Sequence, residues 1–183
     1  MIVRHTLVLI GTVSALAATP AMAEEFSCTG SVGAVTLDNI FVPDGSTCTL
    51  TKTRAKGSVV VGTGATLIAR SVKVTGNVQA EGSAKVNITG VSTVGGSVQI
   101  VQGGSALIKT ATIQGDLLFD SNDGPLKALT NTIGGNLQAF QNGGGVTIRD
   151  NDIDGNLQCK ENSPAPVGGG NQAASKEDQC AAL

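Results

Sequence analysis

The sequence predicts an all-β chain, a right-handed parallel β-helix (solenoid) of about 6–7 rungs with a disulfide at each end. Three observations carry this. A Gly–polar–branched-aliphatic triplet recurs as Gly57-Ser58-Val59, Gly76-Asn77-Val78, Gly96-Ser97-Val98, Gly115-Asp116-Leu117, Gly135-Asn136-Leu137 and Gly155-Asn156-Leu157, always 19 or 20 residues apart. Such a period marks units that bury their apolar face only by stacking. Apolar residues alternate with polar ones around each triplet, as on strands with one buried face. Finally, Cys28 and Cys48 are 20 residues apart, and Cys159 and Cys180 are 21.

The elements follow in order. Residues 1–23 read as a signal peptide: Arg4 gives a positive start, Leu7 to Ala18 an apolar core, and Ala21-Met22-Ala23 a cleavage site. The apolar run is shorter than the roughly 20 residues a membrane span needs. The mature chain is expected to start at Glu24, with a cap and first rung or rungs over 24–56 and the regular rungs over 57–161. A loop and cap should fill 162–183. Asp38-Asn39-Ile40-Phe41-Val42 reads as a degenerate extra rung.

Within a rung, three columns should point inward. They are Ala55, Val74, Val94, Ile113, Ile133 and Ile153; Val59, Val78, Val98, Leu117, Leu137 and Leu157; and Val61, Ala80, Ile100, Phe119, Ala139 and Cys159. Between the last two lies an outward column, Val60, Gln79, Gln99, Leu118, Gln138 and Gln158, in which stacked amides can bond along the axis. A second strand per rung is expected at Ala65–Ile68 and its repeats. The triplet Gly should sit at a corner, where freedom at φ is useful. Asn131 and Asn151 face inward on successive rungs and should bond to one another. Left-handed β-helices keep a strict hexapeptide, about 18 residues per turn, so a period of 19 or 20 suits the right-handed form. Seven rungs would span about 34 Å.

Residues one turn apart stack at about 4.8 Å, within reach of a disulfide. The expected bonds are therefore Cys28–Cys48 and Cys159–Cys180, stapling neighbouring rungs at the ends of the rod, where bare strand edges would otherwise template fibres. Pro164 to Asn171 reads as loop, and Gln172 to Leu183 as a segment folding back to cap the end.

The rungs resemble those of bactofilins and of pectate-lyase-type β-helices. They resemble more closely a group of small, uncharacterised secreted bacterial proteins. These combine a Cys-containing first rung (here Val42 to Leu50) with Gly-Asn-Val-Gln rungs and a final Gly-Asn-Leu-Gln-Cys. That resemblance implies a fold and a compartment, and no known activity.

Composition limits the chemistry. Without the leader the chain has 11 Lys and Arg against 14 Asp and Glu, a net charge of −3. It has no Trp or Tyr, and its one His, His5, lies in the leader. His-based triads and His-ligated metals are thereby excluded from the mature chain. Weak acidity argues against nucleic acid and anionic membrane surfaces as partners. Asp150, Asp152, Asp154, Gly155 and Glu161 match the spacing of a calcium loop. The flanking segments are not helices, so a solvated acidic stripe competes with a calcium site. Thr93, Thr110, Thr112, Thr130 and Thr132 form outward Thr pairs of the kind that can order water on ice. Arg149 beside Asp150 is the remaining catalytic motif, with ion pairing as its alternative.

The expected function is a secreted or periplasmic structural or interaction module of the cell envelope, without catalytic activity. Its partner would be a protein or glycan, with end-to-end or side-by-side self-association open. The rivals are an extracellular glycan binder or polysaccharide-lyase-like protein, and an ice or surface binder.

Overall fold

Alternation with period 2, broken every few residues by a corner, makes this chain wind rather than fold back. The computed structural model describes residues 25–183, so the expected leader and its cleavage site lie outside the described residues. All strand pairs are parallel, and they assemble into three sheets that form the sides of a solenoid of about eight turns.

Sheet A has nine strands: Glu25–Ser27, Asn39–Val42, Val59–Val61, Val78–Glu81, Val98–Val101, Leu117–Asp120, Leu137–Phe140, Asn156–Lys160 and Ser175–Asp178. Sheet B has eight: Ser31–Val32, Thr47–Thr51, Thr66–Arg70, Lys85–Thr89, Ser105–Lys109, Leu126–Leu129, Val146–Arg149 and Val167–Gly169. Sheet C has seven short ones: Thr36–Leu37, Arg54–Ala55, Lys73–Val74, Ser92–Val94, Ala111–Ile113, Thr132–Ile133 and Asp152–Ile153. Each turn therefore runs A, B, C, then passes the Gly triplet into A again.

The three expected inward columns all lie in the core, with Ile113, Phe119, Ile133 and Leu137 wholly enclosed. Sheet B adds Leu67, Val86, Leu126 and Val146 in one column and Ala69, Ile88, Ile108, Ala128 and Ile148 in the next. In-register pairing such as Val78↔Val98 and Leu117↔Leu137 puts like on like along the axis.

The rung count exceeds the expected 6–7, because both ends continue the sheets. At the N-terminus, Glu25–Ser27 pairs with the strand at Asn39 over an offset of only 14 residues. At the C-terminus, the expected loop contains the sheet B strand Val167–Gly169, and the expected fold-back is the sheet A strand Ser175–Asp178, parallel to Asn156–Lys160. Alternation is weak in both segments, which is why they read as cap and loop.

The role of the triplet Gly differs from expectation too. None of the six has positive φ. Space is what they supply: a Cβ on Gly76 would lie 2.9 Å from the carbonyl carbon and oxygen of Gly57, and one on Gly155 only 2.7 Å from the oxygen of Gly135. Backbone stacks on backbone at this corner, and only Gly leaves room.

Left-handed backbone marks the other two corners. Between A and B it falls on Gly45 and Gly64 in the first turns, then on Gly82, Gln102, Ser121, Gln141 (with Gly145) and Glu161; between B and C on Lys52, Ser71, Gly90, Thr110, Thr130, Asp150 and Gly170. These residues turn the chain sharply between two extended segments.

Candidate functional site

Both disulfides form as paired in the sequence, Cys28–Cys48 with 5.5 Å between Cα atoms and Cys159–Cys180 with 5.3 Å. The expected geometric reason holds only approximately. The residue stacked on Cys159 is Asp178, so Cys180 reaches the bond from the turn that follows. Likewise Cys28 follows Ser27, the partner of Phe41, and lies next to Val42 rather than over Cys48. The irregular first and last turns shift each pair off register, and both bonds still join adjacent turns at the two ends.

Polar ladders hold the interior. Asn131 donates its side-chain amide and its backbone N–H to Oδ1 of Asn151 (2.9 and 3.0 Å), and Asn151 does the same to Asn171 (2.9 and 3.0 Å). A second ladder, Asn122, Asn142 and Asn162, runs up the other left-handed corner, with amide steps of 3.0 and 2.8 Å. It ends on Gln179, which accepts from Asn162 and donates back to its carbonyl. Each Asn directly follows a left-handed residue, and each also donates to a carbonyl of the turn below, as Asn142 does to Phe119 (3.1 Å). Of these, only Asn131 and Asn151 are expected from the sequence. The column 122, 142, 162 was visible by its period, but Ser83 and Gly103 occupy its earlier turns. Ser83 shows what is lost there: its hydroxyl is buried with no hydrogen-bond partner.

A third ladder explains the polar member of the triplet. The backbone N–H of Ser58 donates to Oδ1 of Asn39 (3.0 Å), Asn77 to Oγ of Ser58 (3.0 Å), and Ser97 to Oδ1 of Asn77 (2.8 Å). The series continues through Asp116 and Asn136 to Asn156. A short side chain with an acceptor is therefore needed at every step.

The outward rows are what a partner would meet. On sheet A, Gln79 donates to Gln99 (3.5 Å), Gln138 to Gln158 (2.9 Å), and Gln158 to Glu177 (2.7 Å), with Leu118 interrupting the row. Hydrogen bonds from Ser175 and then Gln158 hold the Glu177 carboxyl below the usual glutamate range. Beside this row runs a groove of about 740 Å³ lined by Asp44, Val60, Gln79, Glu81, Gln99 and Gln102. A smaller hollow of about 330 Å³ further along holds Asp120, Phe140, Gln141, Lys160 and Glu161.

The four carboxylates of the calcium pattern are not brought together. Asp150 turns the corner between B and C, Asp152 and Asp154 lie exposed on and just after the sheet C strand, and Glu161 sits at the corner between A and B. Glu161 there accepts from Gln141 (2.9 Å). Among the described residues, no three His, Cys, Asp or Glu side chains gather to hold a metal ion. The loop spacing is met in sequence, but a strand splays alternate residues about 6.6 Å apart instead of curling them around one centre.

The Thr row is real but short. Thr93, Thr112 and Thr132 stack in register on sheet C, with Lys73 before and Asp152 after them. Thr110 and Thr130 lie apart, at the left-handed corner. Arg149 is exposed at the end of its sheet B strand, and the one ion pair among the described residues is elsewhere, between Lys56 and Asp38 (2.9 Å).

No family model, no curated protein and no solved structure matches this chain. Its class is defined by its own geometry: an all-β parallel solenoid with a disulfide near each end.

Proposed function

We propose that this chain is a secreted or periplasmic interaction module of the cell envelope, without catalytic activity, that presents straight rows of side chains to an extended partner. The observation that carries the reading is the in-register pairing of outward residues. Gln79 on Gln99, Gln138 on Gln158 and Thr93 on Thr112 repeat one chemical group at the strand spacing, about 4.8 Å. A surface of that kind suits a ligand that is itself linear and periodic. Two disulfides are compatible with an oxidising compartment, and no helix among the described residues is long and apolar enough to cross a membrane.

The test is capture from separated envelope and cytosolic fractions by the immobilised, oxidised protein, together with N-terminal sequencing of the exported chain. Retention of an envelope protein or glycan, and a mature start at Glu24, are expected. Capture from cytosol alone, or a chain that keeps its first 23 residues, overturns the reading. A second reading, a glycan binder using sheet A, is favoured by the groove of about 740 Å³ floored by Gln79 and Gln99. Amides there could hydrogen-bond sugar hydroxyls, and Gln99→Ala would weaken capture if they do.

A further inference from the structure

We propose that the outer face of sheet B is a docking surface for a linear polysaccharide bearing carboxylates. This deepens the interaction-module reading and rests on it.

The face is unlike the rest of the molecule in charge. The eight sheet B strands carry five cations, Arg70, Lys85, Lys109, Lys127 and Arg149, all exposed, and not one Asp or Glu. Sheet A strands carry Glu25, Glu81, Asp120, Glu177 and Asp178 against Lys160 and Lys176. Sheet C strands carry Arg54 and Lys73 against Asp152, so a chain with net negative charge places five of its nine strand cations on the one face that has no strand carboxylate. None of the five forms an ion pair among the described residues.

Register gives the face a period. Arg70 pairs laterally with Thr89, and Leu129 with both Lys109 and Arg149. The pairing of Ile88 with Ile108 sets Thr89 beside Lys109. One outward row thus reads Arg70, Thr89, Lys109, Leu129, Arg149, with a cation on alternate turns. Two strand spacings are roughly 10 Å, close to the length of an extended disaccharide and too long for successive phosphates of a polyphosphate chain. The neighbouring row adds half-buried Ile68 and Leu107, apolar ground for sugar C–H faces. Arg at both ends of the cationic row can bind carboxylate in a two-pronged manner. Nucleic acid fits less well, because no sheet B strand has an aromatic residue on which a base could stack.

The probe is hyaluronan, with one carboxylate per disaccharide, titrated into the oxidised protein by calorimetry at low and high salt. Binding at low salt that weakens as salt rises is expected. The triple variant Arg70→Gln, Lys109→Gln, Arg149→Gln should bind about tenfold more weakly or worse. The variant Arg54→Gln, Lys56→Gln, Lys73→Gln, which loses the same charge from sheet C and the corner that follows it, should bind like the unaltered protein. Circular dichroism confirms that both variants fold. No binding at low salt, or equal loss in the two variants, overturns the proposal. So does tighter binding of polyphosphate through the same residues, or sedimentation showing that the face is occupied by a second copy of the chain. Envelope capture that survives the sheet B variant would leave the interaction-module reading standing while removing this one.

Discussion

Removing the Asn151 side chain would orphan two buried donors at once, because the amide and the backbone N–H of Asn131 both end on its Oδ1. Each unsatisfied donor costs about 1–3 kcal/mol. Asn151→Ala is therefore expected to lower stability by about 2–6 kcal/mol, read as a drop in the urea midpoint. Gln138→Ala, which removes an amide bond from the outer row, should cost about 1 kcal/mol or less. Equal losses would mean that the inner ladder contributes no more than the outer one. Thr130 makes the opposite case. Its left-handed φ of 55° is costly for a β-branched side chain. Thr130→Asn should raise stability by about 1 kcal/mol, and a lower melting temperature would contradict the strain. What the sequence hid at this scale was the left-handed corner itself. Lys52, Gln102 and Thr130 are not residues that announce such a backbone, and the Asn that follows each later corner gains its meaning only from that turn.

At the scale of one corner, the triplet combines two demands. The polar residue must accept from the next turn's backbone, and the Gly must leave space for the backbone beneath it. Gly76→Ala would force the corner apart, at about 1–3 kcal/mol as in other overpacked sites. Differential scanning calorimetry would register the loss, and an unchanged transition would show that the corner yields freely. The strands themselves were legible, since Ile113, Leu137 and their columns follow the period-2 rule on a 19- or 20-residue register. The terminal turns were not. Val167–Gly169 looks like loop because two of its three residues are Gly, and Ser175–Asp178 like a cap because three of its four are charged; both are held by the partner strand's backbone rather than by a buried side-chain pattern.

Whole-molecule charge was the poorest guide to the surface. The net charge of −3 expected once residues 1–23 are removed argues against nucleic acid and anionic membrane surfaces, yet the winding puts five of the nine strand Lys and Arg on sheet B and five of the six strand carboxylates on sheet A. Function classes were narrowed by the absence of Trp and Tyr and by a single His, His5, and the acidic spacing at Asp150–Glu161 was a pattern in sequence that three-dimensional winding dispersed. The end disulfides act at this scale as well. In the chain-entropy model, closing a loop this short contributes about 3 kcal/mol. Replacing Cys159 and Cys180 by Ser should release Ser175–Asp178 first, seen as fast amide exchange in that strand while Val98–Val101 stays protected. Uniform loss of protection would mean that the rod melts as one unit.

Because each turn bonds only to the turns above and below it, a pulling force on the two termini would not break the molecule across its middle. It would unzip one coil at a time from an end, each coil giving way at a similar load. The first and last coils are where such unravelling must begin, and those are the coils that Cys28–Cys48 and Cys159–Cys180 rivet shut. An oxidised rod tethered at both ends would therefore bear tension as a stiff spacer, and a reduced one would pay out like thread from a spool.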